Sequence, residues 1–208
     1  MVKVKVCGIT SLADAEKALE FGADVLGFNF YLPSPRWVAP DRARAIIEAL
    51  PQACFNVALF VNETKERVLS ALAYGEFAGG RQGYGGVQFH GDESAEYCRG
   101  WGVKVIKAVR MKERDSLAGM AAFGADFFLL DSWSAGYGGS GISFPWEWLD
   151  GLDANKLILS GGLSIENVVA AVRRVHPFGV DVCSSVESRP GKKDYGKLKE
   201  FIVAAKGA

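Results

Sequence analysis

The chain has 208 residues, of which 49% are apolar, so it can build a large core and is not a disordered chain. Its 24 Lys and Arg balance its 24 Asp and Glu, which excludes a net field drawing it to nucleic acid or an anionic membrane; any anion it binds is held locally. Cys7, Cys54, Cys98 and Cys183 are too scattered for a disulfide framework or zinc site, and no apolar run reaches the ~20 residues a bilayer requires, so the expected setting is reducing and cytoplasmic.

The first element is the alternation Val2-Lys3-Val4-Lys5-Val6, which predicts a strand over 2–7 ending on Cys7. Side chains alternate along a strand, so Lys3, Lys5 and Cys7 share one face and the valines the other. Gly8-Ile9-Thr10 then turns into an amphipathic helix over 11–21. From there short apolar runs alternate with helical patterns. Strands are predicted over 24–30, 55–61, 86–90, 103–109, 125–131, 156–160 and 179–184. Helices are predicted over 40–50, 64–73, 93–101, 112–122, a short stretch near 144–149, 165–174 and 194–205. Parallel neighbours require such crossovers. Eight βα units without a Gly-X-Gly-X-X-Gly turn after the first strand predict an α/β fold, a (β/α)8 TIM barrel forming a single domain over 1–208. The phrase Gly22-Ala23-Asp24 recurs as Gly124-Ala125-Asp126, as repeated units would show. The glycine-rich stretch 79–86 falls on the αβ side and reads as a flexible insertion without chemistry.

Catalytic groups of such barrels stand at the C-terminal ends of strands. Those positions here hold Cys7, Asn29, Asn62, His90, Lys107, Asp131, Ser160 and Ser184. Cys7 and Asp131 are the pair best suited to acid-base work, with Lys5 the nearest cation able to favour the thiolate. His90 reads as a hydrogen-bonded wall residue. Two prolines stiffen Tyr31-Leu32-Pro33-Ser34-Pro35-Arg36-Trp37, so Arg36 is presented to a carboxylate or phosphate, or lies on Trp37. Ser160-Gly161-Gly162-Leu163-Ser164, with Ser164 as expected helix N-cap, and Ser184-Ser185 follow the last two strands. Glycine N–H groups, hydroxyls and a helix N-terminus together suit a phosphate. The loop 134–141 reads as a flap or a linker. In a closed barrel the eighth strand neighbours the first, so Asp181 is expected to pair with Lys5 beneath the thiol, fixing the lysine while weakening its pull on Cys7.

An ordered set of segments spanning nearly the whole chain resembles the phosphoribosylanthranilate isomerase family. They are Lys5-Val6-Cys7-Gly8-Ile9-Thr10, Gly27-Phe28-Asn29-Phe30 with Ser34-Pro35-Arg36, Phe60-Val61-Asn62, Val87-Gln88-Phe89-His90-Gly91, Leu130-Asp131, Gly138-Gly139-Ser140-Gly141, Leu159-Ser160-Gly161-Gly162-Leu163, and Val180-Asp181-Val182 through Pro190-Gly191-Lys192-Lys193-Asp194. The resemblance implies an Amadori rearrangement of N-(5-phosphoribosyl)anthranilate to 1-(2-carboxyphenylamino)-1-deoxyribulose 5-phosphate, with no cofactor or metal. It implies Asp131 as acid, Cys7 as base, Arg36 on the anthranilate carboxylate, and Gly161, Gly162, Ser184 and Ser185 on the phosphate. The only implied partner is this small phosphorylated substrate, with a monomer or homodimer as assembly. Cys183 stands where that family commonly has serine, Ser185 where it has glycine and Ser140 where it has threonine, and the 79–86 insertion is long. A side chain at 185 can crowd the approach of backbone to phosphate. The rival expectations are a barrel that binds a phosphorylated ligand without turnover, and a broader aldose-ketose isomerase that also takes the histidine-pathway aminoaldose.

Overall fold

The structure, a computed structural model, describes residues 1–73, 76–77, 81–133 and 143–208, with backbone alone at 76–77 and 81–82. The flap reading of 134–141, Ser140 and residues 79–80 of the insertion lie outside the described residues. Glu76–Phe77, just before the insertion, pairs antiparallel with Arg81–Gln82 inside it.

Eight parallel strands close into a barrel: β1 (Lys3–Cys7), β2 (Val25–Asn29), β3 (Phe55–Phe60), β4 (Gly86–Phe89), β5 (Lys104–Met111), β6 (Phe127–Ser132), β7 (Leu157–Leu159) and β8 (Gly179–Val182). Each pairs with its neighbour in sequence, and β8 returns to β1 with Lys5 opposite Asp181 and Val6 opposite Val182. The period-2 pattern explains the layers. Val4 and Val6 point outward and share the main core with Ala15 and Ala18 of α1 (Leu12–Glu20) and Leu198 and Ile202 of α5 (Tyr195–Lys206). Inside, Val57, Ile106, Ala108, Leu129 and Ile158 form a separate apolar plug. Above it the interior turns polar, through Lys5, Gln88 and Asp181, all buried.

The other α-helices are α2 (Pro40–Ala49), α3 (Lys65–Ala73) and α4 (Val168–Val175). Two predicted helices are replaced by turns. Over 93–101 the Glu93 carboxylate accepts from the N–H groups of Asn62 and Gly91 at 2.8 and 3.0 Å, which fixes a loop where a helix would start. Tyr97 and Trp101 from this segment pack on Phe89, ring centroids 5.2 and 5.1 Å away. Over 112–122, Ser116 caps the tight turn Arg114–Leu117, and Gly119 at φ 75° separates it from a second, Met120–Phe123. The predicted short helix near 144–149 is a single 3-10 turn, Trp146–Leu149. Among the described residues no helix is long and apolar enough to cross a membrane.

Candidate active site

A cavity of about 470 Å³ opens at the C-terminal mouth of the barrel. It gathers Cys7 and Asp131, Arg36, Gly161, Gly162, Ser184 and Ser185, along with Asn29, His90 and Ser160. Asn62 and Lys107 are not among its walls. Ile106 and Ala108 face the interior plug, so Lys107 between them faces outward by alternation. There its ammonium donates to Gly91 O at 2.7 Å and pairs with Glu93 at 2.9 Å. Asn62, at φ 50°, accepts from the Asp92 N–H at 2.7 Å in the same outer network. A larger cavity of about 640 Å³ lies at the opposite end, where Phe55, Ile106, Phe127 and Phe178 make it apolar; it holds neither Cys7 nor Asp131.

Cys7 ends β1, 6% exposed, directly above a buried ion pair. Lys5 Nζ meets Asp181 Oδ1 at 2.7 Å, as the closure of the barrel predicted, and Ser160 Oγ donates to Asp181 Oδ2 at 3.1 Å. Burial opposes the lysine's charge, but Asp181 and Cys7 together hold it above its ordinary value. Burial likewise pushes Asp181 up to about 6 against the pull of Lys5. The first influence on Cys7 is the Cys183 thiol beside it; with Lys5 and Lys193 it outweighs burial and holds Cys7 well below the usual thiol range. Cys183, whose Sγ donates to Glu187 Oε1 at 3.8 Å, is itself buried and is pushed well above that range. Sequence reading named Lys5 first among the causes, and Cys183 takes that place.

Asp131 ends β6 and is 6% exposed. His90 Nε2 lies 3.0 Å from Asp131 Oδ2, and Gln88 Nε2 lies 2.8 Å from His90 Nδ1. Gln88 and Asp131 thus hold the imidazole from its two ring nitrogens, the donor and acceptor roles following the tautomer. The histidine expected as a wall residue therefore orients the Asp131 carboxyl.

Arg36 is held by a carboxylate of the chain itself. Its Nη2 and Nε donate to Glu187 Oε2 and Oε1 at 2.7 and 3.1 Å, and no stacking on Trp37 is needed to place it. The stiff loop is pinned from below, since Ser34 Oγ accepts from Asn29 Nδ2 at 3.0 Å and from Arg36 N at 3.2 Å. Glu187 also pairs with Lys193, 3.1 Å away and buried, whose ammonium donates to Cys7 O at 2.6 Å and to Cys183 O at 3.3 Å. Glu187 and Lys193 face each other on the antiparallel ribbon Glu187–Arg189 with Lys192–Lys193. Sequence reading missed both. The signal was available: Pro190-Gly191 is a turn pair, and an acid and a base flank it at hairpin spacing.

The two loops after β7 and β8 are joined. Gly161 and Gly162 both take φ 69°, and a Cβ on Gly161 would lie 2.7 Å from Asp131 Oδ1, so glycine lets the loop reach the acid. Asn167 staples this loop, accepting from Ser164 N at 2.9 Å and donating to Gly162 O at 2.8 Å. Ser164 is not the N-cap: Asn167 precedes α4, whose first residue bonds back to Ser164 O at 3.0 Å. Ser185 sits in the 3-10 turn Ser184–Val186 and turns its hydroxyl away to Leu163 O at 2.7 Å. The side chain thus ties one loop to the other.

The sequence profile of N-(5'phosphoribosyl)anthranilate (PRA) isomerase matches residues 4–204. The chain belongs to the phosphoribosylanthranilate isomerase family. Among members of this family, it is 46% identical to the N-(5'-phosphoribosyl)anthranilate isomerase of Pelobacter propionicus, over 99% of this chain and 96% of that protein. Its fold is similar to the crystal structure of phosphoribosyl anthranilate isomerase from Thermotoga maritima, with TM-score 0.90, 42% identity and full coverage of both chains. A second phosphoribosyl anthranilate isomerase structure, in complex with reduced 1-(o-carboxyphenylamino)-1-deoxyribulose 5-phosphate, matches at TM-score 0.85 and 40% identity, again with full coverage of both.

Proposed function

We propose that this chain rearranges N-(5'-phosphoribosyl)anthranilate to the open-chain aminoketose 1-(2-carboxyphenylamino)-1-deoxyribulose 5-phosphate, with Asp131 as general acid and Cys7 as general base. The observation that carries the reading is the placing of an oriented carboxyl and a stabilised thiolate on separate walls of one cavity. The geometry suits each step. A proton passes from Asp131 to the furanose ring oxygen, the ring C–O bond breaks, and the anilino nitrogen's lone pair closes to a Schiff base. Cys7 then takes the C2′ proton, and those electrons form the enolamine, which tautomerises to the ketone. One proton is delivered and one removed, so the reaction is neutral overall and calls on no redox cofactor. Arg36, its Nε edge occupied by Glu187, is available to the anthranilate carboxylate. The joined loops at Gly161, Gly162, Ser184 and Ser185 suit the phosphate.

The test is a fluorescence assay on freshly made substrate. Wild type is expected to quench the anthranilate signal as product forms, whereas Cys7→Ala and Asp131→Asn each lose about 10²–10⁴-fold in kcat with smaller changes in KM. An inert wild type, or a Cys7→Ala variant as fast as wild type, overturns the reading. Competition with the histidine-pathway aminoaldose measures the breadth of the site. A binding-only role drew its support from Ser185, and turnover in this assay overturns it.

A further inference from the structure

Cys7 and Cys183 directly follow Val6 and Val182, the last paired residues of the β1–β8 seam, and although Cys183 bends away from the strand its side chain packs in one cluster with Cys7. The strands that deliver them run about 4.8 Å apart, inside the roughly 4.4–6.8 Å that the Cα atoms of a disulfide span. Both side chains turn to the same side, where they line the mouth cavity and are reachable through it. Lys193 fixes the two positions relative to each other by donating to both carbonyls, Cys7 O at 2.6 Å and Cys183 O at 3.3 Å. The surroundings favour an anion on Cys7, with the Lys5 and Lys193 ammonium groups nearby, while Cys183 faces Lys193, Arg36 and the Glu187 carboxylate, 3.8 Å from its sulfur, and keeps its proton. Cys54 lines the cavity at the opposite end, and Cys98 is buried beneath the outer turns.

We propose that Cys7 and Cys183 are an oxidative modification site: a hydroperoxide entering the mouth converts them to a reversible disulfide. The Cys7 thiolate attacks one peroxide oxygen, the O–O bond breaks, and hydroxide leaves. Sulfur is oxidised to sulfenic acid while the peroxide is reduced. Cys183 gives its proton to that hydroxide, forming water, and its sulfur attacks Cys7. The S–S bond forms as the S–OH bond breaks, and the departing hydroxide is protonated from solvent. Two thiols and one hydrogen peroxide give one disulfide and two waters. A dithiol reverses the change by exchange. That oxidation silences the enzyme rests on the reading of Cys7 as the base, since the linked sulfur cannot take a proton.

The reduced full-length protein, exposed to hydrogen peroxide and quenched with an alkylating agent, is digested with trypsin without reduction. Peptides 6–17 and 175–192 are expected as one linked species, two hydrogens lighter than their sum and separated by dithiothreitol. Lost turnover should track the linked fraction and return on reduction. In Cys183→Ser, which keeps a hydroxyl donor beside Cys7, the linked species is expected to vanish and Cys7 to become labelled by dimedone. Dimedone-labelled Cys7 with alkylated Cys183 in wild type, or linkage to Cys54 or Cys98, overturns the proposal. A linked species in a protein that never turned over the substrate leaves the modification site standing and sinks the catalytic reading instead.

Discussion

A thiol serves as a base only where its anion is stabilised, and at Cys7 that work is shared among groups from distant parts of the chain. The neighbour two residues back, Lys5, is tied at 2.7 Å to Asp181 and so is partly neutralised. The Cys183 thiol beside it adds to the pull of Lys5 and Lys193. Removing that thiol in Cys183→Ala is expected to move Cys7 alkylation to higher pH, while Cys183→Ser keeps a polar hydroxyl there and holds the profile nearer wild type; rates of iodoacetamide reaction across pH 5–9 check this. Sequence reading placed Lys5 and Asp181 correctly because barrel closure fixes their register. It undervalued Cys183, because proximity across a seam does not say which sulfur holds the proton. Glycine gives a second residue-scale expectation. Gly161→Ala would set a methyl against Asp131 and the Ser132 backbone at φ 69°, costing roughly 1–3 kcal/mol in strain and displacing the acid. A lower melting temperature and a lower kcat together would confirm it.

At the level of elements, the repeated Gly-Ala-Asp phrase has a structural meaning. Asp24 accepts from Val4 N at 2.9 Å and pairs with Lys3, while Asp126 accepts from Val105 N at 2.9 Å and pairs with Lys104. In both halves, the aspartate entering one strand caps the first residues of its neighbour. Burial opposes these charges, but the lysines and strand N–H groups hold both carboxyls below their ordinary values. A depressed carboxyl stabilises the fold above its unfolded pKa, and this is lost as pH falls through the folded value. Acid unfolding followed by circular dichroism should therefore steepen below about pH 4. Asp24→Asn and Asp126→Asn should each flatten it. All eight strands were legible because apolar runs bounded by glycine and charge announce them. The crossovers at 93–101 and 112–122 were not, because Glu93 and Ser116 spend their side chains on backbone N–H groups and break the helices their apolar spacing suggests.

Across the whole molecule, the interior is layered, with an apolar plug at the base and ionisable groups toward the mouth. The buried Lys5–Asp181 pair is where these layers meet. Asp181→Leu leaves an unpaired buried ammonium and is expected to cost about 3–5 kcal/mol. The double variant Lys5→Met with Asp181→Leu should recover most of that in a denaturant titration, yet turn over more slowly than wild type. Equal recovery of stability and turnover would show that the pair is scaffolding alone.

The bond from Lys193 to the carbonyl of Cys7 joins residues 186 positions apart. During synthesis the thiol emerges long before the ammonium. A nascent chain can lay strand against strand and still hold an ordinary cysteine at position 7, with neither Cys183 nor Lys193 yet made. Reactivity is thus conferred late, and a ribosome-bound fragment ending before Cys183 should alkylate at residue 7 like an unfolded peptide.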